Sequence, residues 1–353
     1  MLPIVWRYLL VRYIKYFFAF VSIFVAILLT LELEEIARFL SLGAGPLDVL
    51  LFTGYQIPYI LPIAIPVSAL IASLLLMYQL SLHHELIAFR SAGFSLYALF
   101  FPCLLLALLL SACNFVTVSE VATQAHFAAH RLRRELKTLN PLLVLNNKHF
   151  MKLQGSFFEI QGTSKAGELA SHIVLAFPQK EHAWLNLMTA GLLKVTRHYL
   201  QEEEVTHVMP LSSSSLIVET IEKSKTPLRD FGEILENKVW KIELDYLSLP
   251  ALWRSPLSRS LIFSEIFRRI SLGFLPFSFT WLGLTFGMSF RRDLKRPFKA
   301  ALLLSALYLI LFFAAKSLHK HLFLSSFCYF FPHAVILFIA AWVLHKHNRG
   351  ITL

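Results

Sequence analysis

Two uninterrupted apolar runs, Val49–Leu80 and Phe94–Val118, are separated only by Leu82-His-His-Glu-Leu-Ile-Ala-Phe-Arg-Ser-Ala-Gly-Phe-Ser95. Each run reaches the roughly 20 residues a helix needs to cross a bilayer core. Spans joined by so brief a polar link form a helical hairpin, with the link at one membrane face. The link is amphipathic and carries Glu85 and Arg90. It is too short for a domain and long enough for a helix that docks on another protein. It reads as the place where a partner pushes on the membrane part.

Composition agrees. The chain has 353 residues, 56% hydrophobic and 16% charged, with a mean hydropathy of +0.61. A soluble domain carries about a quarter charged residues, and the deficit here sits in the apolar runs. The net charge of +11 would suit a nucleic-acid partner only if it were clustered. Ser119–Ser260 holds 17 Lys and Arg against 15 Asp and Glu, so most of the excess lies in short loops and ends of the membrane part. That is the positive-inside distribution, and no nucleic acid is implied. Cys103, Cys113 and Cys328 all fall in apolar runs, where a thiol serves as a small hydrophobe.

In chain order, Trp6–Lys15 interleaves aromatic and basic residues, and Tyr16–Leu31 is continuously apolar. Leu31-Glu-Leu-Glu-Glu-Ile-Ala-Arg38 follows without a small-residue cleavage pattern, which predicts a retained first span with its amino terminus in the cytoplasm. Glu32, Glu34 and Glu35 then read as a solvated helix end. The second apolar region contains Pro58, Pro62 and Pro66 on roughly one face, which predicts a kinked, tilted span. Kinked packing and a moving gate both fit that spacing.

After the third span the character changes at Ser119. Ala122–Leu139 reads as a charged helix ended by Asn140-Pro141. Strand-type segments follow at His149–Leu153, Ser156–Gln161, His172–Phe177, Gly191–Leu200, Glu204–Met209 and Ser215–Ile221. Gly155-Ser156 is a candidate hairpin turn, and Gly162 with Gly167 punctuates another loop. Such a series predicts an all-β domain, a sandwich or an open roll. Pro250–Ser260 reads as the linker back to the membrane, followed by spans at Glu265–Phe290, Phe298–Ala315 and Cys328–Leu344. The fourth is approached through Arg268-Arg269, and Arg291–Pro297 is a basic short loop.

With this assignment the cytoplasmic stretches hold 11 Lys and Arg, and the two short outer loops hold three, Arg38, Lys316 and Lys320. The bias predicts both termini inside. The expected fold is a polytopic α-helical membrane protein with six transmembrane helices arranged three plus three around an external all-β domain. The boundaries are 1–118, with the link at 82–95, then 119–260 for the β domain and 261–353.

Several chemistries have no sequence support. No phosphate-loop motif occurs, so the chain does not hydrolyse nucleotide itself, and neither HExxH nor GxSxG is present. His83-His84-Glu85 lacks a third ligand nearby, so no metal is expected. The spans read as lacking the buried acid or histidine relay of a proton-coupled pump. Energy then comes from elsewhere.

The chain resembles the lipopolysaccharide-export permeases, LptF/LptG (YjgP/YjgQ), along nearly its whole length. The resemblance rests on Trp6-Arg-Tyr-Leu-Leu-Val-Arg-Tyr13, the proline-rich Leu61-Pro-Ile-Ala-Ile-Pro-Val-Ser-Ala69, the link His84–Ser95 and the three-plus-three topology. The link is similar to the family's Ser-Glu-(apolar)₂-x₃-Ala-x-Gly-x-Ser/Thr pattern, with His84 where Ser is commoner. Its opening is more like LptF, and Phe331–Trp342 is somewhat more like LptG.

The resemblance implies a bacterial inner-membrane heterodimer of two such permeases on two copies of a cytoplasmic ATPase, LptB. The ATPase would use ATP, and the permease would need no cofactor and be no enzyme. It implies a periplasmic β-jellyroll that passes lipopolysaccharide to a bridge of LptC- and LptA-like proteins. By position it makes His84, Glu85, Arg90 and Gly93 parts of the ATPase-coupling helix, with Gly93 as its carboxyl cap. The family is thought to admit lipid between the first span of one subunit and the fifth of the other. Arg38, Arg268, Arg269, Lys316 and Lys320 are therefore candidate contacts for lipid phosphates, and each is also readable as an interfacial snorkelling charge. The acids Glu32, Glu34 and Glu35 stand where some members carry lysines. Two other readings compete, a mechanotransmission subunit that carries no lipid and a membrane-assembly factor without an ATPase. Six spans argue against the first, and a link without partners would favour the second.

Overall fold

The computed structural model describes residues 4–139, 150–153, 156–163, 169–178, 185–195, 199–212, 215–227, 247–256, 258–288, 295–318 and 323–348. The chain divides into two compact units, one of Met1–Glu32, Tyr55–Phe127 and Glu243–Leu353, the other of Leu33–Gly54 and Ala128–Ile242.

Among the described residues six helices are long and apolar enough to cross a membrane, at Ile4–Leu31, Pro46–Leu82, Leu96–Leu136, Arg259–Gly287, Phe298–Ala315 and Phe327–Asn348. The first unit holds α1 (Ile4–Leu31) and most of α3 (Pro46–Leu82), whose three prolines all lie inside the helix. The link contains α4 (Glu85–Ser91) and leads into α5 (Leu96–Val116). A π-helical turn at Thr117–Val121 carries α5 into α6 (Ala122–Leu139) without a break. The expected change of character at Ser119 is thus one extra residue per turn inside a continuous helix, a device common at functional sites.

On the return, the expected linker is partly helical. α7 (Leu249–Arg254) opens with Pro250, and α8 (Arg259–Gly287) begins six residues before the span expected at Glu265. Trp253 covers the joint, edge-on to Phe263 at 6.1 Å and under the Arg259 guanidinium at 5.4 Å. α9 (Lys295–Leu318), a 3₁₀ turn (Phe323–Phe330) and α10 (Phe331–Asn348) complete the unit.

α3 and α8 are the inner helices, with two-thirds of their apolar windows buried, whereas only 6% of the α1 window is. Close approach of α8 to α3 depends on glycine. A Cβ on Gly283 would lie 2.6 Å from the Leu70 carbonyl oxygen, and one on Gly287 2.7 Å from that of Leu74. Lipid tails are as apolar as the helices and supply no hydrophobic drive for association, so such small-residue seams let membrane helices gain dispersion contacts. α1 is buried only along its opening turns, at Leu9, Tyr13 and Phe17, and these join Met77, Leu80, Leu86, Leu96 and Leu344 in one apolar cluster.

The second unit contains α2 (Leu33–Leu40), where Phe39 stacks on Phe52 at 4.2 Å and Arg133 reaches Glu35 at 3.2 Å. Among its described residues the sheet has six antiparallel strands in sequential order: β1 (Phe150–Leu153), β2 (Ser156–Thr163), β3 (Leu169–Pro178), β4 (Leu185–Val195), β5 (Tyr199–Ser212) and β6 (Ser215–Pro227). The inserted all-β domain is therefore present, and its described strands form an up-and-down meander without the crossover of a jelly roll.

Three local expectations change. Val195 pairs with Leu200, so the expected strand Gly191–Leu200 is the end of β4 and the start of β5. Thr196-Arg-His198 contains neither Gly nor Pro, which hid the reversal. Gly162 pairs with Ser171 inside the sheet instead of marking a loop, and Leu153 pairs with Ser156, which puts that reversal one residue earlier. His172 and Glu204 have positive φ, 51° and 56°, and flank Gly191 across the sheet. Along this line the side-chain alternation slips by one, as at a bulge. Ala170 and Ile173, Ala190 and Leu193 thereby share the small core with Val205.

Candidate functional site

The link forms at the end of the first unit where α1 begins and α3 stops. α3 ends at Leu82, and His84 then takes a left-handed conformation (φ 58°) with no side-chain cap. Asn, Asp and His tolerate that region better than most residues, so His84 serves here as a corner and not as the hydroxyl cap that Ser would supply. At the other end Gly93 has φ 88°, its N–H donates to the Arg90 carbonyl at 3.0 Å, and the Phe94 N–H donates to the Phe89 carbonyl at 3.0 Å. These two bonds, with Phe94 edge-on to Phe89 at 6.2 Å, make a Schellman stop. Ser95 then caps α5, accepting from the Ala98 N–H at 3.2 Å.

α4 divides its side chains between two surroundings. Leu86 is fully buried in the cluster that holds Leu9 and Tyr13. Ile87 is 52% exposed, and Ala88, Arg90, Ser91 and Phe94 are exposed as well. Glu85 is only half-exposed, because its carboxylate is held by α1. Tyr8 donates its hydroxyl at 2.7 Å, Arg12 Nη1 lies 3.3 Å from both oxygens, and the Arg12 guanidinium stacks over the Tyr8 ring at 4.2 Å. The aromatic-basic opening of the sequence and the acid of the link, more than 70 positions apart, are one cluster. Arg90 takes no part in it.

The cations proposed from sequence fall into different surroundings. Arg38 is exposed on α2 and pairs with Glu34 one turn earlier. Lys316 belongs to the last turns of α9, and Lys320 lies outside the described residues. Arg268 and Arg269 both bind Glu265, at 2.6–2.7 Å. Arg269 is 1% exposed, and it also donates to the backbone carbonyls of Ser119 (3.2 Å) and Leu247 (2.8 Å). Such a guanidinium does not face lipid in this conformation. Its role here is to tie the π turn and the returning chain to α8. Glu120 reinforces the joint by accepting the Leu249 N–H at 3.1 Å.

An acid and a histidine are nevertheless buried in the spans, each held by partners of this chain. Glu265 is 6% exposed and His333 is 3% exposed. His333 Nδ1 lies 2.9 Å from Ser278 Oγ, and its Nε2 lies 3.0 Å from Ser271 Oγ and 3.1 Å from Tyr308 Oη. The signal was in the sequence. Ser271 and Ser278 are seven residues apart, hence on one helix face, and a lone histidine in an apolar span needs such partners. Tyr8 and Arg12 were likewise visible as residues but not as a site.

Residues 7–346 match the family described as lipopolysaccharide export system permease LptF/LptG. No curated protein matches the chain. A match over nearly the full length shows the family, and the chain belongs to it.

Proposed function

We propose that this LptF/LptG-family protein is the non-catalytic membrane half of an ATP-driven exporter that lifts lipopolysaccharide out of the bacterial inner membrane. Both termini and the Leu82–Ser95 link face the cytoplasm, as the positive-inside count requires, and the β domain faces the periplasm. A paralogous permease completes the cavity, two LptB-like ATPases supply energy, and the β domain passes lipid to an LptC- and LptA-like bridge.

The observation that carries this reading is the link. It is a short helix anchored through Leu86 between two long spans, with Ile87, Arg90 and Phe94 left uncovered, in a chain with no nucleotide-binding sequence. An amphipathic helix of this kind fits a groove on a partner. Among the cations, Arg38, Arg268, Lys316 and Lys320 remain candidates for lipid phosphate, while Arg269 is committed to its own chain.

Gentle detergent purification of the tagged protein tests the reading, with and without Glu85→Arg. The expected result is recovery of a second permease and a phosphate-loop ATPase, with the ATPase lost or uncoupled in the variant. Recovery of the protein with no ATPase would overturn the exporter reading and leave an assembly factor.

A further inference from the structure

The first span is buried in its amino-terminal half, and the rest is only partly covered along one side. Leu9, Tyr13 and Phe17 are buried, Tyr13 Oη lies 2.9 Å from Thr280 Oγ1, and Tyr16 bonds to Gln79. Beyond them Phe18, Ile23, Ile27 and Leu31 are exposed. A 28-residue helix is about 40 Å long at 1.5 Å per residue. Fully buried only in its amino-terminal half, it has the geometry of a lever whose inner arm lies beside the link.

At that inner arm sits the clasp of Glu85 by Tyr8 and Arg12. Glu85 opens α4, and the next residue, Leu86, is buried with Leu9 and Tyr13. One charged and one apolar contact therefore connect the first turn of α4 to the first span. A carboxylate offers about four acceptor positions. Tyr8 and Arg12 crowd one oxygen, while the other meets Arg12 alone, so a cation from outside the chain can be accepted without release of Tyr8.

We propose that Tyr8 and Arg12 are positioning residues that convert displacement of the coupling helix into tilting of the first span, with Glu85 as the shared group between partner and lever. This rests on the exporter reading above. Pushed by a partner, α4 carries the carboxylate with it. The hydrogen bond from Tyr8 and the ion pair from Arg12 then draw the amino-terminal turns of α1, and the partly covered remainder swings by a larger distance. Without the clasp, α4 slides past α1 on the apolar contact of Leu86 alone. The partner still docks and hydrolyses ATP, but the stroke is not delivered.

The test uses the whole complex in proteoliposomes containing lipopolysaccharide, with wild type, Tyr8→Phe, Arg12→Gln and Arg12→Lys compared. Three quantities are read: ATPase recovered, ATP hydrolysed, and lipopolysaccharide transferred per ATP. The expected result is full recovery of the ATPase and near-normal hydrolysis in all four, with transfer per ATP about tenfold lower in Tyr8→Phe and Arg12→Gln. Tenfold corresponds to one charge-assisted hydrogen bond. Arg12→Lys keeps the charge and restores most of the loss. Tyr8→Phe removes one oxygen from a helix surface, so it separates the clasp from folding. Unchanged transfer per ATP in Tyr8→Phe and Arg12→Gln overturns the proposal. So does loss of the ATPase from those variants, because the clasp would then be shaping the docking surface. A wild-type complex that lacks an ATPase overturns the exporter reading itself, a result distinct from either.

Discussion

Two of the glutamate–arginine clusters among the described residues lie in opposite surroundings. At the link, Glu85 and Arg12 come from different helices, keep 26% and 31% of their side chains exposed and meet at 3.3 Å. On α8, Glu265 binds Arg268 and Arg269 at 2.6–2.7 Å, with Glu265 6% and Arg269 1% exposed. Water can replace either partner in the first cluster, so breaking one of its contacts costs only about 1–1.5 kcal/mol. In the second, removing one partner strands a charge away from water. One is a contact that can be made and released, and the other is a fixed joint. A machine that transmits motion needs both kinds, and exposure distinguishes them where residue type does not.

The comparison breaks most sharply at Arg269. Arg269→Ala leaves Glu265 with Arg268 as its partner and takes a donor from the Ser119 and Leu247 carbonyls, and it is expected to destabilise by about 2–4 kcal/mol. Thermal unfolding in detergent checks this, and a change below about 1 kcal/mol would show that the joint is not fixed. A smaller loss, about 1–3 kcal/mol, is expected from Gly283→Val, because the added Cβ meets the Leu70 backbone and overpacks the α8–α3 seam. The same melting measurement reads it, and an unchanged midpoint would mean that the inner helices can part. Glu85→Gln sits at the far end of the range. Its melting temperature should stay within a degree or two of wild type, while transfer per ATP falls. Rising salt should mimic that loss at the link and leave the α8 cluster untouched, since only exposed pairs are screened. Arg38→Ala is expected to change stability least, its exposed i,i+4 pair with Glu34 being worth a few tenths of a kcal/mol.

Much of the fold was legible in the sequence, because the bilayer imposes a length and an apolar content that are read residue by residue. The six spans, the inserted sheet and the helix at Ala122–Leu139 all follow from such local patterns. Where sequence reading missed, two things worked against it. The reversal between Val195 and Leu200 carries no Gly or Pro, and the slipped alternation at His172 and Glu204 depends on pairing with neighbouring strands. The candidate site was half visible. Glu85 was legible as the acid of the link and Gly93 as its helix stop, since the charge and the need for positive φ are local properties. That Glu85 is answered by Tyr8 and Arg12 was not, because no periodicity links positions so far apart.

The sequence by itself determined that this chain crosses a membrane, which six stretches are apolar enough to do so, and that its link is a short amphipathic helix. Each of these depends on side chains within a few turns of one another, or on partition between water and lipid. Only the tertiary structure decided which charges are committed. Arg268 and Arg269 are neighbours with identical side chains, yet Arg269 is 1% exposed and bound to two carbonyls while Arg268 keeps 16% of its side chain exposed. His333 is buried among hydroxyl groups, and Glu85 is shared between helices. The cost of burying a charge or a polar group is set by everything that surrounds it, and those surroundings are assembled from distant parts of the chain.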